Sequence, residues 1–229
     1  MNGTVSNGHI LRGFDKDMRK LRKRVLKMAG LVRGQMERLQ LALGHDSTEQ
    51  ARQVIEGDRP IDLQEVKVDS FIVSLLARRA PVGRDLRYVV ATSRIVTELE
   101  RLGDEMTQIA RVLCQESLPE SGCDGHSPRS EVQHLMGHLI MLLDTALRAY
   151  EEDDARQSEV IVAGELPEQI DLRNRLKYLV ECVFDNRQDV AEAVNFMLVL
   201  KSLDRGKRHI DNIAEHVIYL VTGEDIRHQ

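Results

Sequence analysis

The chain has 229 residues and a formal net charge of -5, long enough for one or two compact domains with a substantial buried core. Aromatic residues make up 3% and tryptophan is absent, which leaves few stacking platforms for bases and argues against a nucleic-acid partner. No apolar run is long enough to span a bilayer and no charged-then-apolar leader is present; Cys114, Cys123 and Cys182, odd in number and without CxxC spacing, read as reduced thiols, so a cytoplasmic protein is expected.

Phe14, Met18, Leu21, Val25, Met28, Val32, Met36, Leu39 and Leu43 step by three or four, the stripe of one long helix that ends at GHDS. Its early turns carry a basic run, KDMRKLRKR at 16–24. This run reads as a solvated face, or as a docking patch for an acidic partner or lipid headgroups in which Arg19, Arg22 and Lys23 take part. A second helix is predicted from Thr48 to Arg79, with a kink or restart at Gly57 and Pro60. APVGRD ends it, and Asp85 is the expected cap of a third helix seamed by Tyr88, Ile95, Leu99, Leu102, Met106, Ile109 and Leu113, with Thr92 in the one polar gap.

The stretch ESLPESGCDGHSPRS at 116–130 is polar and turn-forming and reads as a linker. Helices are predicted beyond it at 131–151, 154–183 and 189–222. Residues 85–113 and 189–217 align without a gap: Asp85 meets Asp189, Leu99 meets Leu203, Arg101 meets Arg205, Ile109 meets Ile213 and Ala110 meets Ala214. An internal repeat follows, and with it an all-α fold of two tandem three-helix bundles, 10–115 and 131–229, joined by 116–130.

Acidic residues concentrate in the first repeat. Glu100 and Asp104, four apart in TELERLGDEM, share one helix face beside the Leu99 seam. Asp58, Asp62, Glu65 and Asp69 form a second stripe beside Ile61, Val68, Ile72 and Leu76. If the two stripes meet, their charges repel and a hard or borderline cation such as Mg, Mn, Fe or Ca relieves them, with Gly103 permitting close approach of the helices. The bland alternative is surface decoration neutralised by Arg101 or Arg94. His134 and His138 have metal-ligand spacing but no third ligand, which reads as a solvent-facing coincidence, and His209 and His216 read as structural. No nucleophile elbow, Walker loop or dinucleotide fingerprint occurs, so an enzyme is not supported. The absence of Glu-x-x-His near the acids also weakens a carboxylate-bundle metalloenzyme.

The ordered combination of GDRPID, ARRAPVGRDLR, ELERLGD and a terminal NIAE helix resembles the PhoU family over nearly the whole chain. The resemblance implies two three-helix bundles with multinuclear iron or zinc sites on Glu/Asp-x-x-x-Asp motifs. It further implies a negative regulator linking the ATPase subunit of a phosphate ABC transporter to a phosphate-sensing histidine kinase. Carried over, Asp58, Asp62, Glu100 and Asp104 are the expected ligands of the first repeat, with Glu65 and Asp69 continuing the same face. The second repeat departs from the pattern. Its LDRGKRHIDNIAE has Asp204 in place of a Glu and Arg208 at the closing Asp, while Pro167, Asn174 and Tyr178 stand opposite Asp58, Glu65 and Asp69, leaving only Asp171. That site is expected to have lost its cluster, or to bind weakly through Asp171 and Asp204. A homodimer is expected, with the contacting patch undetermined, and membrane contact is expected through partners. A divergent member serving another transporter or regulator is the competing expectation.

Overall fold

Every regular element is an α-helix among the residues that the computed structural model describes, 5–45, 47–115, 118, 127–166, 171–185 and 190–226. The first helix, α1 (Val5–His45), follows the apolar stripe: Leu21, Val25, Met28, Val32, Met36, Leu39 and Leu43 are fully enclosed. Helix α2 (Thr48–Glu56) starts behind Ser47, whose Oγ accepts from the Gln50 N–H at 3.3 Å. It stops at Gly57, and α3 (Asp58–Arg79) restarts at once. Gly57 keeps right-handed backbone angles, φ -70 and ψ -13, and its N–H still donates to the Gln53 and Val54 carbonyls at 3.0 and 3.1 Å, so the chain passes from α2 into α3 without a loop. Pro60 sits in the first turn of α3, where a missing N–H costs nothing. Helix α4 (Gly83–Gln115) begins two residues before Asp85, which therefore lies in the first turn and is not the cap; there its charge favours the helix dipole.

Helix α5 (Pro128–Glu152) takes in the last three residues of the stretch expected to be linker, capped by Ser127; 116–117 and 119–126 lie outside the described residues. The helix expected at 154–183 is two helices, α6 (Ala155–Ala163) and α7 (Leu172–Asp185). Gly164, left-handed at φ 73, ends α6 in a conformation that excludes helix continuation. The last helix, α8 (Val190–Thr222), completes the second repeat.

The two bundles lie side by side. Helix α1 runs antiparallel to α5, tied by Arg22 to Asp153, Arg33 to Asp144, and Arg129 Nε to the Leu43 carbonyl. Helix α4 packs most extensively on α8, again antiparallel, with Arg87 donating to the Leu220 and Val221 carbonyls at one end and Arg205 paired with Glu105 at the other. One apolar core runs through both repeats. The repeat is visible within it: Leu99 and Leu203, Ile109 and Ile213, and Ala110 and Ala214 are buried, while Arg101 and Arg205 are exposed. Asp189 lies outside the described residues.

Candidate metal centre

Helices α3 and α4 approach closely because α4 carries no side chain at Gly103. A Cβ there would lie 3.3 Å from Ile61 Cδ1 of α3 and 3.3 Å from Gln35 Oε1 of α1. Ile61, Val68 and Ile72 turn inward and are buried. One edge of α3 therefore brings Asp58, Asp62, Glu65 and Asp69 beside Glu100 and Asp104 of α4.

The carboxylates act on one another. Partial burial and then the charges of Asp104, Glu65 and Asp62 push Glu100 up to about 7. Glu65 is raised by partial burial and by Asp69, Asp62 and Asp104, and Asp104 by partial burial and by Asp58, Asp62 and Glu105. Asp62 is raised by slight desolvation and by Asp58. Asp69 joins through Glu65 alone, at the far end of the stripe. Among the described residues none of the six carboxylates makes an ion pair. Arg101 reaches Glu98, at 3.2 Å, and offsets the crowding of Glu65 and Glu100 only through space, while Arg94 lies over the Tyr219 ring, so neither closes an ion pair with the cluster.

The donor set is all carboxylate oxygen, countered only through space by Arg101 and Arg111, and it fits a hard or borderline divalent ion. It is not a closed cage as the side chains stand: no group of three carboxylate, imidazole or thiol residues is gathered tightly enough to hold an ion among the described residues. Asp62 and Asp104 are exposed. Asp58 is held. Its Oδ1 accepts from Thr107 Oγ1 at 3.0 Å, Thr107 accepts from Gln35 Nε2 at 2.8 Å, and Gln35 also donates to the Val54 carbonyl at 3.1 Å. This buried relay engages one oxygen of the Asp58 carboxylate.

Comparison with known proteins places the chain in a family. The family model described as PhoU domain matches residues 25–113, within the first repeat. The phosphate-specific transport system accessory protein PhoU homolog of Pseudomonas putida is 34% identical over 225 residues, 96% of this chain and 85% of that protein. The chain belongs to the PhoU family. The crystal structure of PhoU from Pseudomonas aeruginosa superposes with a TM-score of 0.82 at 31% identity, covering 92% of this chain and 100% of that one. The phosphate transport system regulatory protein PhoU from Streptococcus pneumoniae shares the fold at a TM-score of 0.80 and 23% identity, over 93% and 99% of the two chains. The all-helical, tandem-bundle expectation agrees with these neighbours.

The second repeat of this PhoU-family chain handles its acids differently. Arg208 Nη2 meets Asp204 at 2.5 Å, and Lys207 meets Asp211 at 2.6 Å. Asp171 caps α7, accepting from the Asn174 N–H at 3.2 Å and from its side-chain amide at 2.6 Å. Asp171, Arg173, Asp204, Lys207, Arg208 and Asp211 line an open hollow of about 440 Å³. The like-charge crowding of the first repeat is replaced here by fixed cations on the chain itself. Pro167, the position opposite Asp58, lies outside the described residues.

Three side chains require a different reading from that of the sequence. Glu98, passed over there, is buried between the repeats and accepts from His209 Nδ1 at 2.8 Å and Asn212 Nδ2 at 3.0 Å. Burial opposes its charge, but those bonds and the charges of His209 and Arg101 outweigh it and hold its carboxyl below the usual range. His138 is buried while His134 is exposed, so the pair does not share a solvent face. Arg22, counted in the docking patch, is structural. It donates to Tyr88 Oη at 2.9 Å, to the Glu151 carbonyl at 2.9 Å and to both Asp153 oxygens at 2.7 Å, joining α1, α4 and α5. Of the remaining cysteines, Cys123 and the side chain of Cys182 lie outside the described residues, and Cys114 is a free thiol.

Proposed function

We propose that this protein is a non-enzymatic adaptor that represses phosphate uptake and phosphate-starvation signalling. It acts in the cytoplasm between the ATPase subunit of a phosphate ABC transporter and a phosphate-sensing histidine kinase. The carrying observation is likeness over nearly the full chain to proteins named as accessory to phosphate-specific transport, together with their two-bundle fold. Long helical faces suit such a role because they offer grooves and ridges to partner helices.

In this reading the first repeat holds iron, zinc or another divalent ion through Asp58, Asp62, Glu100 and Asp104, with Glu65 and Asp69 alongside. The raised carboxyl pKa values and the lack of ion pairs support it. When bound, the ion supplies positive charge that fixes α3 against α4, and the Gln35–Thr107 relay presents Asp58 to it. The second repeat holds no such ion, because Arg208 and Lys207 already neutralise Asp204 and Asp211. That asymmetry also favours the competing reading, a divergent family member serving another transporter. Deleting the gene tests between them: constitutive phosphate-starvation output in rich phosphate, restored to repression by the intact gene, is expected. Unchanged output would refute the phosphate role.

A further inference from the structure

The chain is acidic overall, yet one face of it carries unpaired positive charge. Lys16, Lys20, Lys23 and Lys27 recur at steps of four, three and four, so they form one ridge of α1, about 16 Å long. All four are exposed, and among the described residues none makes an ion pair. Lys20 and Arg24 lie over the Phe71 ring of α3, and Arg24 reaches the Lys67 carbonyl at 3.4 Å, which joins the exposed Lys67 to the same face. The nearby Asp17 is neutralised by Arg79 at 2.9 Å. The acidic stripe of α3 occupies its opposite edge, toward α4, so α3 separates the two charges.

We propose that this ridge rests on the anionic headgroups of a membrane leaflet. Two observations favour lipid over an acidic protein. On α1 between Lys16 and Lys27 no apolar or aromatic side chain is exposed, and the α3 part of the face adds only the half-buried Phe71 and Leu63, 48% exposed, whereas protein interfaces concentrate such anchors and exclude lysine from their centres. Lysine ammonium groups are point charges suited to a diffuse headgroup plane, without the forked geometry that selects one carboxylate. No helix among the described residues is long and apolar enough to cross a bilayer, so contact of this kind is peripheral. The inference is independent of the metal reading. It places the adaptor beside membrane-embedded transport machinery without requiring a partner to hold it there.

Sedimentation of the full chain with phosphatidylcholine vesicles, with and without about a third phosphatidylserine, tests it. Binding is expected only to the anionic vesicles and is expected to fall as salt rises to about 0.5 M. Replacing the four residues (Lys16→Gln, Lys20→Gln, Lys23→Gln, Lys27→Gln) is expected to weaken partitioning several hundredfold, about fivefold per lysine, at unchanged helix content. The control pair Lys177→Gln and Lys201→Gln is expected to bind as the native chain does. Three results would overturn the proposal: equal binding to neutral vesicles, no binding to either kind, or full binding by the quadruple variant. Lysine-dependent retention on detergent-solubilised transporter without vesicle binding would assign the ridge to a protein and also overturn it.

Discussion

Replacing Glu98 with alanine separates the polar from the apolar part of the contact between the repeats. The side chain is 8% exposed and receives hydrogen bonds from His209 and Asn212, both on α8, while Arg101 holds its other oxygen from the solvent side. Because the acceptor is a carboxylate held below its usual pKa, His209 Nδ1 carries the proton and donates. Each buried bond to a charged acceptor contributes about 1.5–3 kcal/mol, and returning the carboxylate to water recovers part of that sum. A net loss of about 2–4 kcal/mol is expected, a fall in Tm of roughly 5–12 °C for a chain of this length. A depressed carboxyl pKa stabilises the fold above the unfolded value of 4.5 and loses that contribution as pH falls through the folded value. The gap between native and Glu98→Ala is therefore expected to be full at pH 7 and to shrink below pH 4.5. Thermal unfolding at the two pH values measures it. A variant within about 0.5 kcal/mol of native at pH 7 would show that the Glu98 bonds contribute nothing net to the α4–α8 contact.

Arg22→Ala is expected to cost about 2–3 kcal/mol in urea unfolding, since Asp153, Tyr88 and the Glu151 carbonyl all lose their donor, whereas Lys23→Ala stays within about 0.5 kcal/mol. Equal costs would refute the division of the basic run into one structural and several free cations. Metal-free protein is expected to lose stability as pH rises from about 4.5 through 7, because ionising Glu100 beside Asp104, Glu65 and Asp62 is unfavourable in the fold. Glu100→Gln is expected to flatten that dependence by less than about 1 kcal/mol, the group being partly exposed and screened. An unchanged pH profile would contradict the crowding. Gly103→Leu is expected to destabilise by about 1–3 kcal/mol by forcing α4 away from Ile61 and Gln35, and an unchanged Tm would show that the helices have room to spare.

Local chemistry made much of the fold legible. The stripe from Leu21 to Leu43 is the buried face of α1, and the break expected at Gly57 is the junction of α2 with α3. The break at Gly164 carried a comparable signal, a glycine three residues before Pro167, yet the surrounding helix-compatible pattern hid it. The two acid stripes were readable because periodicity fixes which positions share an edge, and Gly103 because a glycine within a helix requires a reason. Glu98 stood in plain view, three after Ile95 and four before Leu102, in the seam itself. Its partner His209 is 111 residues away, and no local pattern reports a contact at that separation. Arg22 was obscured for a related reason: side chains of one run face different neighbours according to helical angle, and composition alone merges them. The Gln35–Thr107–Asp58 relay crosses three helices and becomes visible only once these are packed.

The account's central claim is one live carboxylate site in the first repeat and none in the second. Metal content per chain, measured on protein purified without chelator, tests it most directly when native protein is compared with Glu100→Ala plus Asp104→Ala and with Asp171→Ala plus Asp204→Ala. Ions present in the native chain, lost in the first variant and retained in the second are the predicted result. A metal-free native chain, or loss of ions from the second variant alone, would contradict it.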